Sequence, residues 1–237
     1  MGHLDSAFHK VPGFESTNYR LIQDELRWAG PVKVGHPRNL LNPFMPQRPP
    51  LLSQHAWRRA QALADDLMSL PGKGLLLWHQ GLPLPFPFQT AAVRFDRIKL
   101  ALCAGEDAQL LNACLQVVGL GPGLTPSGDD FLGGLLFTLA CSPQWHGSAR
   151  LAYLKEGLLA AACRSEASPT HLISYTLMAD LMHQRSYQPV HELLEALGRA
   201  DAVSVRAACD QLANIGSTSG FDILAGILTA LTYNKTS

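Results

Sequence analysis

The residues best equipped for chemistry in this chain lie in one run, Gly119-Leu-Gly-Pro-Gly-Leu-Thr-Pro-Ser-Gly-Asp-Asp-Phe-Leu-Gly-Gly-Leu-Leu136. Gly119, Gly121 and Gly123 allow a backbone path with positive φ and close approach by another group. Thr125, Ser127 and Asp129 then bring side-chain oxygens to the place where a helix should begin. A glycine loop feeding a helix start offers free N–H groups and the positive end of a dipole, which together suit a phosphate or a carboxylate. The run is not a nucleotide loop: it lacks the Gly-Lys-Ser/Thr ending, and no strand–GxGxxG–helix unit with a later ribose acid surrounds it.

The motif recurs. Shifted by 92 positions, Ser127–Leu136 falls on Ser219-Gly-Phe-Asp-Ile-Leu-Ala-Gly-Ile-Leu228 without a gap, with six identities in ten positions. Each copy reads as a Ser-capped helix with an acid in its first turn, Asp130 or Asp222, and a glycine at mid-helix. A mid-helix glycine costs about 0.8–1 kcal/mol relative to alanine, so a close neighbour must compensate. The helices led by Ser127 and Ser219 are therefore expected to pack on each other, with both starts facing one pocket.

Asp129 and Asp130 are the candidate catalytic groups. Carboxylates beside an anion site repel the anion unless a cation or a donor-rich group lies between. They could bind Mg²⁺, accept hydrogen bonds from an amide or carbamoyl NH₂, or act as a general base. No cofactor is assigned beyond that possible Mg²⁺. Gly121, Gly123, Thr125, Ser127, Gly128, Ser219 and Asp222 are the candidate substrate contacts, joined by Thr170 and Ser174. The last two stand four apart at the helix opening Pro169-Thr-His-Leu-Ile-Ser174, so their hydroxyls share a face. Arg97, Arg150 and Arg164 are possible clamps for a carboxylate or phosphate. The nine histidines show no HxxxH or HExxH spacing, so no metal site is expected, and no GxSxG elbow anchors a hydrolase triad.

The elements that would position these groups differ before and after residue 103. Most prolines precede it, including Pro43, Pro46, Pro49, Pro50, Pro83, Pro85 and Pro87, and proline favours loops and strand edges. Ser53–Leu70 carries a helical face of Trp57, Ala60, Leu63, Ala64 and Leu67. Gly74–Gln80 and Ala91–Leu102 read as strands, the second by near-alternation broken at Arg97. Tyr19–Trp28 fits a helix face or a short strand equally. From residue 104 onward the pattern is helical, with segments opening near Glu106, Ser127, Ser148, Pro169, Pro189, Ser204 and Ser219. The expected class is α+β: a small mixed sheet part over residues 1–103, then an all-helical domain over residues 104–237.

Charge and composition narrow the partners. In 237 residues, 19 basic and 19 acidic side chains cancel, which leaves no electrostatic footprint for nucleic acid or an anionic membrane. A hydrophobic share of 47% with 16% charged residues fits a globular chain. No window holds the roughly 18–20 apolar residues of a spanning helix, and Met1–Lys10 has no apolar signal core. Cys103, Cys114, Cys141, Cys163 and Cys209 lack CxxC spacing and read as reduced, mostly buried small hydrophobes of a cytoplasmic protein.

GLGPGLTPSGDDFLGGLL closely resembles the hallmark of a bacterial family long known as a domain of unknown function. Some members are described as a subunit of oxamate carbamoyltransferase in anaerobic allantoin degradation. GSTSGFDILAGIL and PTHLIS resemble later signature stretches of the same family, so the resemblance spans most of residues 104–237. It implies a hetero-oligomeric enzyme that moves a carbamoyl group between phosphate and oxamate, both partners being small anions. The alternative is a non-catalytic subunit that binds a small anion for regulation or assembly.

Overall fold

The computed structural model describes residues 19–22, 25–28, 51–67, 71–86, 88–162 and 170–234. Pro43, Pro46, Pro49, Pro50, Pro87, Cys163, Arg164 and Pro169 lie outside them. The chain clusters into two compact units, residues 1–42 and 43–237. In the first, Tyr19–Ile22 (β1) pairs antiparallel with Glu25–Trp28 (β2), which settles the ambiguous stretch as a two-stranded ribbon.

Among its described residues the second unit's elements are all helices: α1 Gln54–Leu67, α2 Leu75–His79, α3 Ala92–Ala104, α4 Asp107–Leu115, α5 Ser127–Cys141, α6 Ala149–Ala162, α7 Leu172–Met182, α8 Gln188–Arg199, α9 Ala202–Ala213 and α10 Ser219–Tyr233. A 3₁₀ turn at Phe88–Thr90 precedes α3. The expected mixed sheet is therefore corrected, because both stretches assigned to it are helices. In Ala91–Leu102 the buried side chains are Phe95, Ile98, Ala101 and Leu102, at three- and four-residue spacing, whereas Val93 and Leu100 are exposed. Those two apolar surface residues create the apparent alternation. Gly74–Gln80 is short, and Leu75, Leu76, Trp78 and His79 are all buried. A short apolar run of that kind has no periodicity by which strand and helix can be told apart.

The centre of this unit is the pair α5 and α10. Every residue of α5 is buried, so the helix is apolar all round apart from its opening turn. The expected contact between the two is present and reciprocal. A Cβ on Gly134 would stand 2.2 Å from the Ile223 carbonyl oxygen, and one on Gly226 would stand 2.1 Å from that of Phe131. Phe131 and Ile223 occupy matching positions in the two copies, so the contact repeats about a local two-fold relation.

The duplication reaches well beyond the ten-residue motif. Asp107 and Ala202 open α4 and α9 at a separation of 95, and Gly105 and Ala200 close α3 and α8 with left-handed caps at the same separation. The buried faces correspond as well: Phe95, Ile98, Ala101 and Leu102 match Val190, Leu193, Ala196 and Leu197, and Cys114 matches Cys209. Helices α1 and α6, each 14 residues long, also begin 95 apart. Two helical halves thus follow each other, and α2 of the first packs on α10 while α7 of the second packs on α5. Each half lends a helix to the other's central element.

Candidate functional site

The backbone enters α5 and α10 in the same way. Gly128 N–H donates to the Leu120 carbonyl and Gly220 N–H to that of Ile215, at 2.9 and 3.0 Å. Leu120 and Gly128 are eight positions apart but Ile215 and Gly220 only five, so the first loop is three residues longer. That extra length holds the Gly-Pro-Gly. Gly121 and Gly123 have φ of 129° and 95°, and Pro122, Gly123 and Leu124 are exposed.

Ser127 and Ser219 are not the caps expected of them. The cap positions belong to Pro126 and Thr218, neither with a side-chain cap bond, and the serines begin the helices proper. Freed from capping, their hydroxyls cross to the other copy. Ser219 hydrogen-bonds Asp130 and lies 3.2 Å from the Thr125 hydroxyl. Ser127 hydrogen-bonds Asp222, which also meets Thr218. The pairings climb both helices together, from Ser127 and Asp130 with Asp222 and Ser219 to Phe131 and Gly134 with Gly226 and Ile223. The two helices therefore run in the same sense, with their starts side by side.

The three acids have different fates. Asp129 is 1% exposed and fully engaged: its Oδ1 accepts from Gly119 N–H at 2.7 Å, and its Oδ2 accepts from the Ser174 hydroxyl at 2.6 Å and from that of Thr170. It ties the loop to the opening of α7. Asp130 and Asp222, in contrast, are each left with a buried Oδ2 that has no hydrogen-bond partner. Burial pushes the Asp130 carboxyl up to about 8 against the Ser219 hydrogen bond, and the charges of Asp222 and Asp129 add to the rise. Burial raises Asp222 to about 6, opposed by the Leu75 N–H and the hydroxyls of Ser127 and Thr218. Around neutral pH Asp130 thus holds its proton and Asp222 is mostly ionised.

The expected residues converge on one corner. Thr125, Ser127, Asp129, Asp130, Thr170, Ser174, Ser219 and Asp222 are linked by the contacts above, and Gly121 lies against the start of α5, where a Cβ would stand 2.9 Å from Ser127 N. Gly123 faces open space. Gly128 has a packing role, since its Cβ would stand 1.9 Å from the Val117 carbonyl oxygen. The helix start itself is less open than its sequence suggests, because Gly128, Asp129 and Asp130 N–H groups already donate to the carbonyls of Leu120 and Pro126. Arg150 is paired with Asp107 at 2.7 Å and Arg97 with Gln116 at 2.7 Å, so neither serves as a clamp at this corner.

Three participants lie outside the sequence reading. Leu75 N–H donates to Asp222 Oδ1 at 2.7 Å, an approach that only Gly74 permits, since a Cβ there would stand 2.3 Å from the same oxygen. Lys73 Nζ sits 5.9 Å from the centroid of the Phe221 ring, next to this contact. Tyr187 lies close enough to Asp130 for that carboxyl to help raise its hydroxyl to about 12, after burial as the larger cause. Gly74 and Leu75 fall in the stretch read as a strand, Gly74–Gln80, which hides their contact, and Lys73 just precedes it. Among the described residues no group of three or more His, Cys, Asp or Glu is placed to hold a metal ion, so a Mg²⁺ ion here would find two carboxylates and no third such ligand.

Residues 117–231 match the model of the family described as oxamate carbamoyltransferase subunit AllH. The matched segment begins at the loop that leads into α5 and ends within α10, so it contains both loop–helix units. No solved structure matches the chain. No helix among the described residues is long and apolar enough to cross a membrane.

Proposed function

We propose that this chain, whose residues 117–231 match the model of the AllH family of oxamate carbamoyltransferase subunits, contributes the corner at the starts of α5 and α10 to a carbamoyl-transfer site. The observation that carries the reading is the pair of acids brought together by the duplicated helix starts inside the segment that defines the family. A carbamoyl group presents two N–H donors and one carbonyl acceptor. An ionised Asp222 suits the donors, and a protonated Asp130 suits the acceptor.

In this account Asp130 is the acid–base group, able to give a proton to a developing charge or take one from an amide nitrogen near neutral pH. Asp129 supports it by fixing the loop and α7. The anionic part of a substrate, carboxylate or phosphate, would meet the exposed backbone around Gly121 and Gly123, with Thr125 and Ser127 at its edge. Since no cation stands among the acids, charge for a phosphate would come from Lys73 or from another subunit of the enzyme. The engaged N–H groups at the start of α5 favour a second reading, in which the chain binds a small anion only to regulate or assemble the enzyme.

A thermal-shift panel on the full chain separates these readings from a purely structural loop. Carbamoyl phosphate, phosphate, oxamate and oxalate would each be tested with and without Mg²⁺. A ligand at 100 times its Kd adds about 2.7 kcal/mol. Stabilisation by at least one of them, lost in Ser127→Ala, is the expected result. A flat response to every ligand would remove the small-anion site from this chain.

A further inference from the structure

The two orphaned carboxylate oxygens stand out because they occur twice. Asp130 and Asp222 are 6% and 0% exposed, and each leaves its Oδ2 buried with no partner. A buried acceptor without a donor is costly. One such atom could be an accident of packing. Two at matching positions of a duplicated unit, each beside a serine from the opposite copy, constitute a repeated feature of the fold.

The chemistry that would satisfy them is narrow. A phosphate or carboxylate group lying between them would face two carboxyl groups, with no cation between them among the described residues, so the uncharged end of a ligand belongs there. A metal ion would lack a third His, Cys, Asp or Glu among the described residues. A planar primary amide brings two N–H donors from one nitrogen and a carbonyl oxygen beside them, and no other small neutral group offers that set so compactly. We propose that Asp130 and Asp222, one from each half, form a two-carboxyl receptor for a primary amide, and that Asp129 is not part of it. The Asp222 side is pre-set, since Leu75 N–H holds Oδ1 at 2.7 Å and leaves Oδ2 for the ligand. On the Asp130 side the neighbouring donor is the Ser219 hydroxyl, which lies 3.2 Å from that of Thr125. The Gly-rich loop thereby bridges to the second half directly over the pair. The ligand class rests on the carbamoyl-transfer reading, whereas the choice of residues rests on the orphaned oxygens.

The experiment compares oxamate with N,N-dimethyloxamate by titration calorimetry on the full chain. The two share a charge; the analogue lacks both N–H donors and carries two added methyl groups, whose bulk the shape-preserving Asn variants below control for. Oxamate should bind about tenfold or more tightly than its dimethyl analogue, as expected for the loss of hydrogen bonds to charged acceptors. Asp130→Asn and Asp222→Asn should bring that ratio close to one. Both variants should also melt at or above the wild-type temperature, because each removes an uncompensated buried charge or proton site while preserving shape. A ratio near one in the wild type would overturn the receptor, as would a ratio that survives both substitutions, or the absence of measurable binding by oxamate. Lower melting temperatures with an unchanged ratio would assign the pair to scaffolding instead. Carbamoyl-transfer turnover, measured separately with the co-purified subunits, tests the broader reading: turnover with a ratio of one sinks only the receptor, and a clear ratio without turnover sinks only the transferase.

Discussion

At the scale of single residues, neighbouring acids of identical chemistry do different work because of what surrounds them. Asp129 has three donors on its two oxygens and works as a tie between loop and helix. Asp130, one position on, has a buried oxygen with none. Adjacent positions on a helix point about 100° apart, so one side chain faces α7 and the other faces α10. The raised Asp130 carboxyl has a consequence for stability. A folded-state value of about 8 against an ordinary 3.8 means that the folded chain keeps a proton the unfolded chain has lost. Stability contributed in this way is present at low pH and is lost as pH rises toward 8. Asp222 adds a similar loss only up to about 6. His79 is lowered to about 4, mainly by burial, and opposes both acids below its ordinary 6.5. Between pH 6.5 and 8 Asp130 therefore dominates, with a falling slope of at most about 1.4 kcal/mol per pH unit. Chemical denaturation across that window should show the decline in wild type and a flat profile in Asp130→Asn. A flat wild-type profile would mean that Asp130 is ionised in the fold.

At the scale of elements, legibility followed periodicity. The two loop–helix units were readable because polar caps, acids and small residues repeat at fixed spacing, and the reciprocal contacts of Gly134 and Gly226 are what mid-helix glycines require. The wider duplication was not readable. Some of its matching positions differ, as Phe95 and Val190 or Ile98 and Leu193 do, the identical ones such as Ala101 with Ala196 and Cys114 with Cys209 are ordinary helix-core residues, and the first loop is three residues longer, which breaks the register. The strands assigned at Gly74–Gln80 and Ala91–Leu102 failed where short apolar runs and exposed Val93 and Leu100 imitate alternation. The role of Ser127 and Ser219 was misjudged for a related reason: a serine at a helix start is ordinarily a cap, and only the opposite helix gives it another partner. The duplication supplies its own test. Gly105 closes α3 at φ 72°, but its counterpart Ala200 closes α8 at φ 57°. Alanine in the left-handed region is disfavoured by about 1–2 kcal/mol, and glycine gives back part of this through its freer unfolded chain. Ala200→Gly should stabilise the protein by about 0.5–1 kcal/mol, read from the denaturation midpoint. Destabilisation would mean that the methyl group has a packing role that outweighs its backbone strain.

At the scale of the whole molecule, the second unit is two helical halves joined through α5 and α10, and its candidate site exists only where the halves meet. Neither half alone holds both acids, both crossing serines and the Gly-rich loop. The family match takes in α5 and the second half, and so both loop–helix units. Of the buried polar side chains, Ser127, Asp129, Asp130, Ser174 and Asp222 lie at this corner. The proposed carbamoyl-transfer role places the chemistry at this seam. The most direct measurement is the turnover of the assembled enzyme carrying Asp130→Asn, with assembly checked by co-elution of the subunits. If Asp130 is the acid–base group, the subunits still associate while transfer falls by about 10²–10⁴, the usual contribution of a positioned acid–base group. Full turnover by the assembled variant would contradict it, and would leave the paired acids as part of the frame alone.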